Sequence, residues 1–282
     1  MNVRRLFDLE PHGADTFVGV GPRYPWGGLY GGQIVAQAMR AAAATIEPDL
    51  DVHSLRAYFI RRGDHTEPIR FEVDRIRNGR SFATRRVVAR QAVGAILNLE
   101  ASFQRPEDTE NVQSVAMPLG LPAPDDVESS SWSDSFDRRW VTAEAPAAQQ
   151  REGSGRAVAW LKVADDLGED QLLHRCWLAF LSDDLPTDAI RIAHAEHREQ
   201  RGLDPVPDGA AFFASLDHTI WFHRPLRADR WHLHDFSCHS FTGGRGLAIG
   251  HIFDDGGVHV ATVAQEVLMR EAARRQTENH VS

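Results

Sequence analysis

Lysine is almost missing from this chain: Lys162 is the only one among 31 basic residues, the rest being arginine. The skew is most simply a genomic base-composition effect, and no function is assigned to it. Cysteine is scarce too, with only Cys176 and Cys238 and no CxxC pair. That leaves no zinc-ribbon spacing and no disulfide framework, and a chain of 282 residues builds a core without staples. A reducing cytoplasm is therefore the expected compartment. No apolar run reaches the ~18–20 residues that cross a bilayer. The opening MNVRRLFDLEPHG has no apolar core behind its arginines, so neither a membrane span nor a secretory leader is expected. A basic field is also lacking. The formal net charge is −9, which argues against a protein that grips nucleic acid through its phosphates.

What is present is ordinary globular material, 42% hydrophobic and 25% charged, which excludes global disorder. At roughly 100–200 residues per domain, the length suits two average domains or one large one. One stretch interrupts the pattern. From Pro106 to Ser135 the chain reads PEDTENVQSVAMPLGLPAPDDVESSSWSDS, with four prolines, a serine run and no sustained apolar period. It predicts a surface connection (106–135) between a first unit (1–105) and a second (136–282).

Both units show the same order of elements. After Gly31-Gly32, apolar residues at Ile34, Val35, Ala38, Met39, Ala42, Ala43 and Ile46 predict a helix with one buried stripe. Alternating strands follow, such as Ile69-Phe71-Val73 and Leu97-Leu99-Ala101-Phe103. In the second unit Leu172, Leu173, Cys176, Trp177, Phe180 and Leu181 share a helical face, and strand-like runs fill Ser215 to Met269. The string HSLRAYFIRR from His53 lies over LDHTIWFHRP from Leu216, setting Tyr58-Phe59 against Trp221-Phe222. Two tandem copies of a helix followed by antiparallel strands imply a duplicated α+β fold.

Several constellations invite chemistry and carry little. His232, His234 and Cys238 share one strand face, but ligands along a straight strand spread apart instead of converging on a metal. His194, Glu196 and His197 in AHAEH lack the HExxH spacing and predict an exposed polar segment. Cys238 and His239 are strand neighbours on opposite faces, which disfavours a nucleophilic pair. Cys176 sits on the apolar helix face and reads as core. The glycines of GVGPR and GGLYGG lack the strand–GxGxxG–helix context of a dinucleotide site.

Six ordered strings carry a resemblance: YGGQIVAQA at Tyr30, VHSLRAYFIRRGD at Val52, NGRSFATRRV at Asn78, LAFLSDDLP at Leu178, ASLDHTIWFHRP at Ala214 and VATVAQEVLMR at Val260. From about Tyr24 to Arg270 the chain resembles the acyl-CoA thioesterase II, or TesB-like, family. The resemblance implies a double hot-dog fold, hydrolysis of acyl-CoA thioesters without metal or cofactor, and a homodimer or higher homo-oligomer. It also implies a catalytic trio: Asp183 from the S-D string, Ser215 before L-D-H, and Gln265 in the last strand. Asp184 is the neighbouring alternative to Asp183.

The chemistry suits those residue types. A thioester needs a nucleophilic water and a place for oxyanion charge, while its thiol leaves with a pKa near ~8.5 and needs little acid help. A partly desolvated aspartate can take the proton of water, and a hydroxyl and a carboxamide can position it. The Gly31-Gly32 helix start has the character of a substrate-binding backbone, with Tyr58, Phe59, Trp221 and Phe222 as expected lining for the acyl chain. Arg61, Arg62, Arg85, Arg86 and Arg224 are candidates for CoA phosphates, against the ordinary reading as solvated charges. In the first unit the overlay sets Glu100 against Gln265 and Val52 against Ser215, so one active site per chain is expected. Two rival functions remain at this point: a non-catalytic acyl-CoA-binding or sensing protein, and an enoyl-CoA hydratase-like enzyme built on Asp217-His218.

Overall fold

A computed structural model describes residues 2–141, 154–207 and 209–271. In chain order the first part contains β1 (Glu10–Pro11), β2 (Thr16–Gly19), α1 (Gly31–Ala43), β3 (Asp51–Phe59), β4 (Ile69–Asn78), β5 (Phe82–Gln91) and β6 (Gly94–Gln104). An irregular stretch with one 3₁₀ turn (Pro124–Asp126) leads to β7 (Phe136–Trp140) and β8 (Ser154–Val163). Then come α2 (Gln171–Leu181), α3 (Pro186–Gln200), β9 (Ala211–Ser215), β10 (Asp217–Phe222), β11 (His232–Thr242), β12 (Arg245–Asp254) and β13 (His259–Glu271).

The strands form one antiparallel sheet in the order β1-β2-β4-β5-β6-β3-β10-β13-β12-β11-β8-β7, with β9 extending the pairing of β13. The order is nearly palindromic. β4-β5-β6-β3 of the first half mirrors β11-β12-β13-β10 of the second, and the halves join where β3 and β10 pair, Leu55 opposite Ile220. Each half thus sets helix against antiparallel strands, α1 in the first and the successive α2 and α3 in the second, twice over in one chain: a double hot-dog fold.

α1 and α2 meet at the centre. α1 is rich in Gly, Ala, Val and Ile, and it is buried from Gly32 to Met39, with Gln33 and Gln37 included, and again at Ala41 and Ala42. A Cβ on Gly32 would stand 2.3 Å from the carbonyl oxygen of Phe180 in α2, so glycine is required for this approach. α2 begins at Asp170, whose carboxylate caps the amides of Leu172 and Leu173. Its bulky face then packs Trp177 against Phe7 (5.2 Å) and Phe180 (5.0 Å). Each such fully buried side chain contributes about 1.5–3 kcal/mol.

One element departs from the sequence reading. AHAEH lies in α3, whose Ala189, Ile190 and Ala193 are buried and which lies over β8 and β11. Pro186 at its first turn, which needs no amide donor there, starts this helix one residue after Asp183-Asp184, with Leu185 as the N-cap. Cys176 is fully buried, as its apolar neighbours imply.

Candidate active site

The reactive-looking side chains gather where α2 ends, beside the first turn of α1. Ser182 caps α2, and the chain turns at once into α3, which holds Asp183 inward with only 6% exposure. The Gly32 amide donates to Asp183 Oδ2 at 2.8 Å. Gln265 Nε2 donates to Oδ1 at 2.8 Å, and Ser215 Oγ donates to the same oxygen at 3.4 Å. Gln265 Nε2 also donates to Ser215 Oγ at 2.8 Å. A Cβ on Gly31 would fall 2.6 Å from Asp183 Oδ2 and 3.0 Å from the Phe59 ring, so glycine there leaves room for the carboxylate.

The strands explain the convergence. Ser215 ends β9, pairing with Val267 of β13, and Leu216 bridges the sheet by donating to the Glu266 carbonyl while accepting from the Phe59 amide. Gln265 is fully buried on the helix-facing side of β13, next to Glu266 and two residues before Val267. So the sequence-expected Asp183, Ser215 and Gln265 do stand together, with the head of α1 facing them.

Burial pushes the Asp183 carboxyl up to about 7, because a carboxylate there loses its water; the bonds from Gln265, Gly32 and Ser215 oppose that rise. Asp184 is differently occupied. It accepts from Trp132 Nε1 at 2.6 Å and pairs with Arg138 Nη1 at 2.9 Å, buried among Tyr30, Trp132 and Phe180. It has no lone pair directed at the Ser215–Gln265 corner among these contacts.

Two further residues stand behind Gln265: Ser182, which was not expected there, and His218, which the sequence offered only as part of the hydratase-like Asp217-His218 pair. His218 Nδ1 lies 2.5 Å from Gln265 Oε1, and His218 Nε2 lies 3.0 Å from Ser182 Oγ. His218 is fully buried, and desolvation lowers its pKa to about 4, so the ring is neutral at ordinary pH. The signal was in DHTIWF, where strand alternation puts His218 on the same inward face as Ile220 and Phe222. Asp217 points the other way and caps the Glu266 amide at 2.7 Å, so Asp217 and His218 do not form the acid–base pair a hydratase reading requires.

The aromatic lining needs correction. Phe59 and Phe222 face the helices, but Tyr58 is 60% exposed on the opposite side of the sheet. Trp221 shares that outer face, stacked under the Arg56 guanidinium at 5.8 Å. Consecutive strand residues point to opposite faces, so neither pair lines one pocket. Arg85 is also corrected. It is buried and its guanidinium donates to Thr45 Oγ1, Thr45 O, Asn78 Oδ1, Arg77 O and Thr84 O, which removes it from reach of a CoA phosphate. On β11, His232 and His234 bond each other (Nδ1 to Nε2, 2.9 Å) while Cys238 Sγ donates to Ser240 O. Among the described residues no three His, Cys, Asp or Glu side chains converge as a metal site.

Comparison with known proteins agrees with this architecture. The family model for the acyl-CoA thioesterase N-terminal domain matches residues 21–104, and that for the C-terminal domain matches 109–269. The chain is 31% identical to human acyl-coenzyme A thioesterase 8, covering 95% of this chain and 88% of that protein. It is 32% identical to acyl-CoA thioesterase 2 of Haemophilus influenzae, over 95% and 97% of the two chains. The crystal structure of acyl-CoA thioesterase II TesB2 from Mycobacterium marinum superposes with a TM-score of 0.84 at 35% identity, covering 98% of this chain and all of that one. With both half-models matched in order and relatives aligned nearly end to end, this chain belongs to the acyl-CoA thioesterase family.

Proposed function

We propose that the chain hydrolyses acyl-CoA thioesters to a free carboxylic acid and CoA, with Asp183 as general base. The observation that carries this reading is a buried carboxylate that accepts from the Gly32 amide, Gln265 and Ser215, beside the head of α1. A water between Asp183, Ser215 and Gln265 gives its proton to Asp183 as its oxygen bonds the thioester carbon. Charge moves to the carbonyl oxygen, and collapse of that tetrahedral species breaks the C–S bond. The thiolate leaves readily, its pKa near ~8.5, and the Asp183 proton is returned to it or to solvent. The Gly32 amide is committed to Asp183, so the partly exposed Gly31 amide at the same helix head is the donor assigned to the oxyanion.

Phe59 is assigned to the acyl group by its place against Gly31. Residues 1–105 and 136–282 act as two repeats joined by 106–135, with catalysis from the second repeat and the first supplying the α1 head. No metal or cofactor enters the scheme. Among the described residues, no helix is long and apolar enough to cross a membrane. A cytoplasmic homo-oligomer is the form in which we place the enzyme. Thiol release measured across acyl-CoAs of rising chain length tests the reading. Turnover that survives extended chelation and vanishes in Asp183→Asn supports it; binding without release in the native protein overturns it.

A further inference from the structure

We infer that His218, braced by Ser182, is a positioning residue that fixes which end of the Gln265 carboxamide faces the catalytic carboxylate. This inference rests on the reading of Asp183 as the base. A carboxamide is nearly symmetric in shape but opposite in polarity at its two ends. With Nε2 toward Asp183, it donates to both Asp183 Oδ1 and Ser215 Oγ. Flipped, it would press a carbonyl oxygen against a carboxylate and leave the Ser215 hydroxyl without its donor. Both orientations fill the same buried space, so packing alone does not choose between them.

The far side enforces the same choice. A contact of 2.5 Å between His218 Nδ1 and Gln265 Oε1 is a hydrogen bond only if Nδ1 carries the proton. In a neutral ring that leaves Nε2 as an acceptor, and Ser182 Oγ stands 3.0 Å from it. Ser182 has one proton and two acceptors in reach, His218 Nε2 and Ala179 O, the latter also at 3.0 Å. The proton directed to Nε2 selects the Nδ1–H tautomer, the tautomer selects the amide orientation, and the amide holds the carboxylate and hydroxyl that position water. Each member is buried or half-buried, so water does not compete for these bonds. The same position in β3 of the first half is Leu55, and the Leu55 neighbour on β6 is Ala101, which has no amide to orient.

Three variants test this. His218→Leu copies the first-half residue, keeps the site apolar and removes the donor. His218→Asn returns an N–H near the place of Nδ1. Ser182→Ala removes the brace without changing the ring. We expect His218→Leu to lower kcat about 10–100-fold, with KM within a few-fold. Its pH–rate limb should move upward, because a freed amide stabilises the Asp183 anion less. His218→Asn should recover most of kcat and return the limb, and Ser182→Ala should shift both in the His218→Leu direction by less. If His218→Leu keeps kcat and the limb, the inference is wrong. It is equally wrong if Leu and Asn lose activity alike and only in step with a fall in Tm. Should His218→Leu not fold, Ser182→Ala with native kcat and an unmoved limb overturns it alone. Asp183→Asn run in parallel separates the two readings: activity there defeats the base assignment, whereas a dead Asp183→Asn beside a fully active His218→Leu defeats only the relay.

Discussion

The residue that follows the helix cap is Asp183 after α2 and Thr45 after α1, and the two halves diverge from that step onward. Around Asp183 the second half places Ser215, His218, Gln265 and, opposite Gln265 on β12, Ala248. The ladder of the first half puts Val52, Leu55 and Ala101 in the corresponding places, with Arg85 opposite Ala101. Ser215, His218 and Gln265 have the apolar counterparts Val52, Leu55 and Ala101, Asp183 has the neutral hydroxyl residue Thr45, and the small Ala248 has a large counterpart in Arg85. Arg85 fills that space, and its donors are satisfied by neutral oxygens, including both the hydroxyl and the carbonyl of Thr45. The two copies share the strand ladder, but one places a carboxylate, a hydroxyl and a carboxamide where the other places apolar side chains and a guanidinium. A buried polar group must be satisfied in either case; what differs is which groups do it.

Asp183→Asn is expected to produce the largest effect that sharpens this contrast. Loss of the base should lower kcat about 10²–10⁴-fold. Asp184→Asn should instead remove the charge partner of Arg138, leaving an oxygen that can still accept from Trp132, and appear as a lower Tm, with kcat closer to native. Steady-state thiol release and thermal unfolding on both variants separate the roles, and the reverse pattern would move the base to Asp184. Next is the closed half. Arg85→Met orphans several buried acceptors and should cost about 2–4 kcal/mol in urea unfolding, with kcat within a few-fold. A large kcat loss at native stability would mean that the first half also does chemistry.

The pH dependence has a definite sign. Asp183 works as the anion, so kcat/KM should rise with pH through about 7 and level off above it. Its folded pKa lies above the unfolded value of about 3.9, so its contribution to stability is full below that value and is lost as pH rises through about 7. Buried His218 has the opposite sign, its folded pKa being lowered: its contribution is present at higher pH and lost as pH falls through about 4. The comparison is therefore native against Asp183→Asn. The variant should lose less stability than the native chain on going from about pH 5 to about pH 8, and equal losses would contradict a buried, perturbed Asp183. The smallest expected effect concerns Glu100, which is exposed. Glu100→Gln should leave the rate within about twofold, as surface changes usually do. A non-hydrolysable acyl-CoA analogue should bind with a calorimetric stoichiometry near one per chain. Two sites per chain would break the asymmetry of the halves.

Glu100 also marks where sequence overlay slipped. The overlay set it against Gln265, but the ladder pairs Arg56 with Glu100 and Leu55 with Ala101, so the counterpart of inward Gln265 is Ala101. A one-residue shift in a strand turns every side chain to the other face, and identity between the copies is too low to pin the register. Helices α1 and α2 were legible because their apolar stripes are long. α3 was not, because a polar surface helix covering a sheet through Ala189, Ile190 and Ala193 shows only a narrow stripe. Tyr58 and Trp221 were misplaced for the reason that Glu100 was: adjacency in a string is opposition in a strand.

By itself the sequence determined the duplicated order of helix and strands, the glycines at the head of α1, and the residue types able to handle a thioester. Those follow from local periodicity and from the chemistry each side chain carries wherever it stands. Tertiary structure decided which of Asp183 and Asp184 stands free of an ion pair, which face each aromatic presents, and that His218 stands behind Gln265. It also decided that Asp183 titrates near neutrality, since desolvation and the bonds from Gly32, Ser215 and Gln265 come from elements up to 151 residues away in the chain. A pKa and an amide orientation are properties of surroundings, and only the folded chain assembles those surroundings.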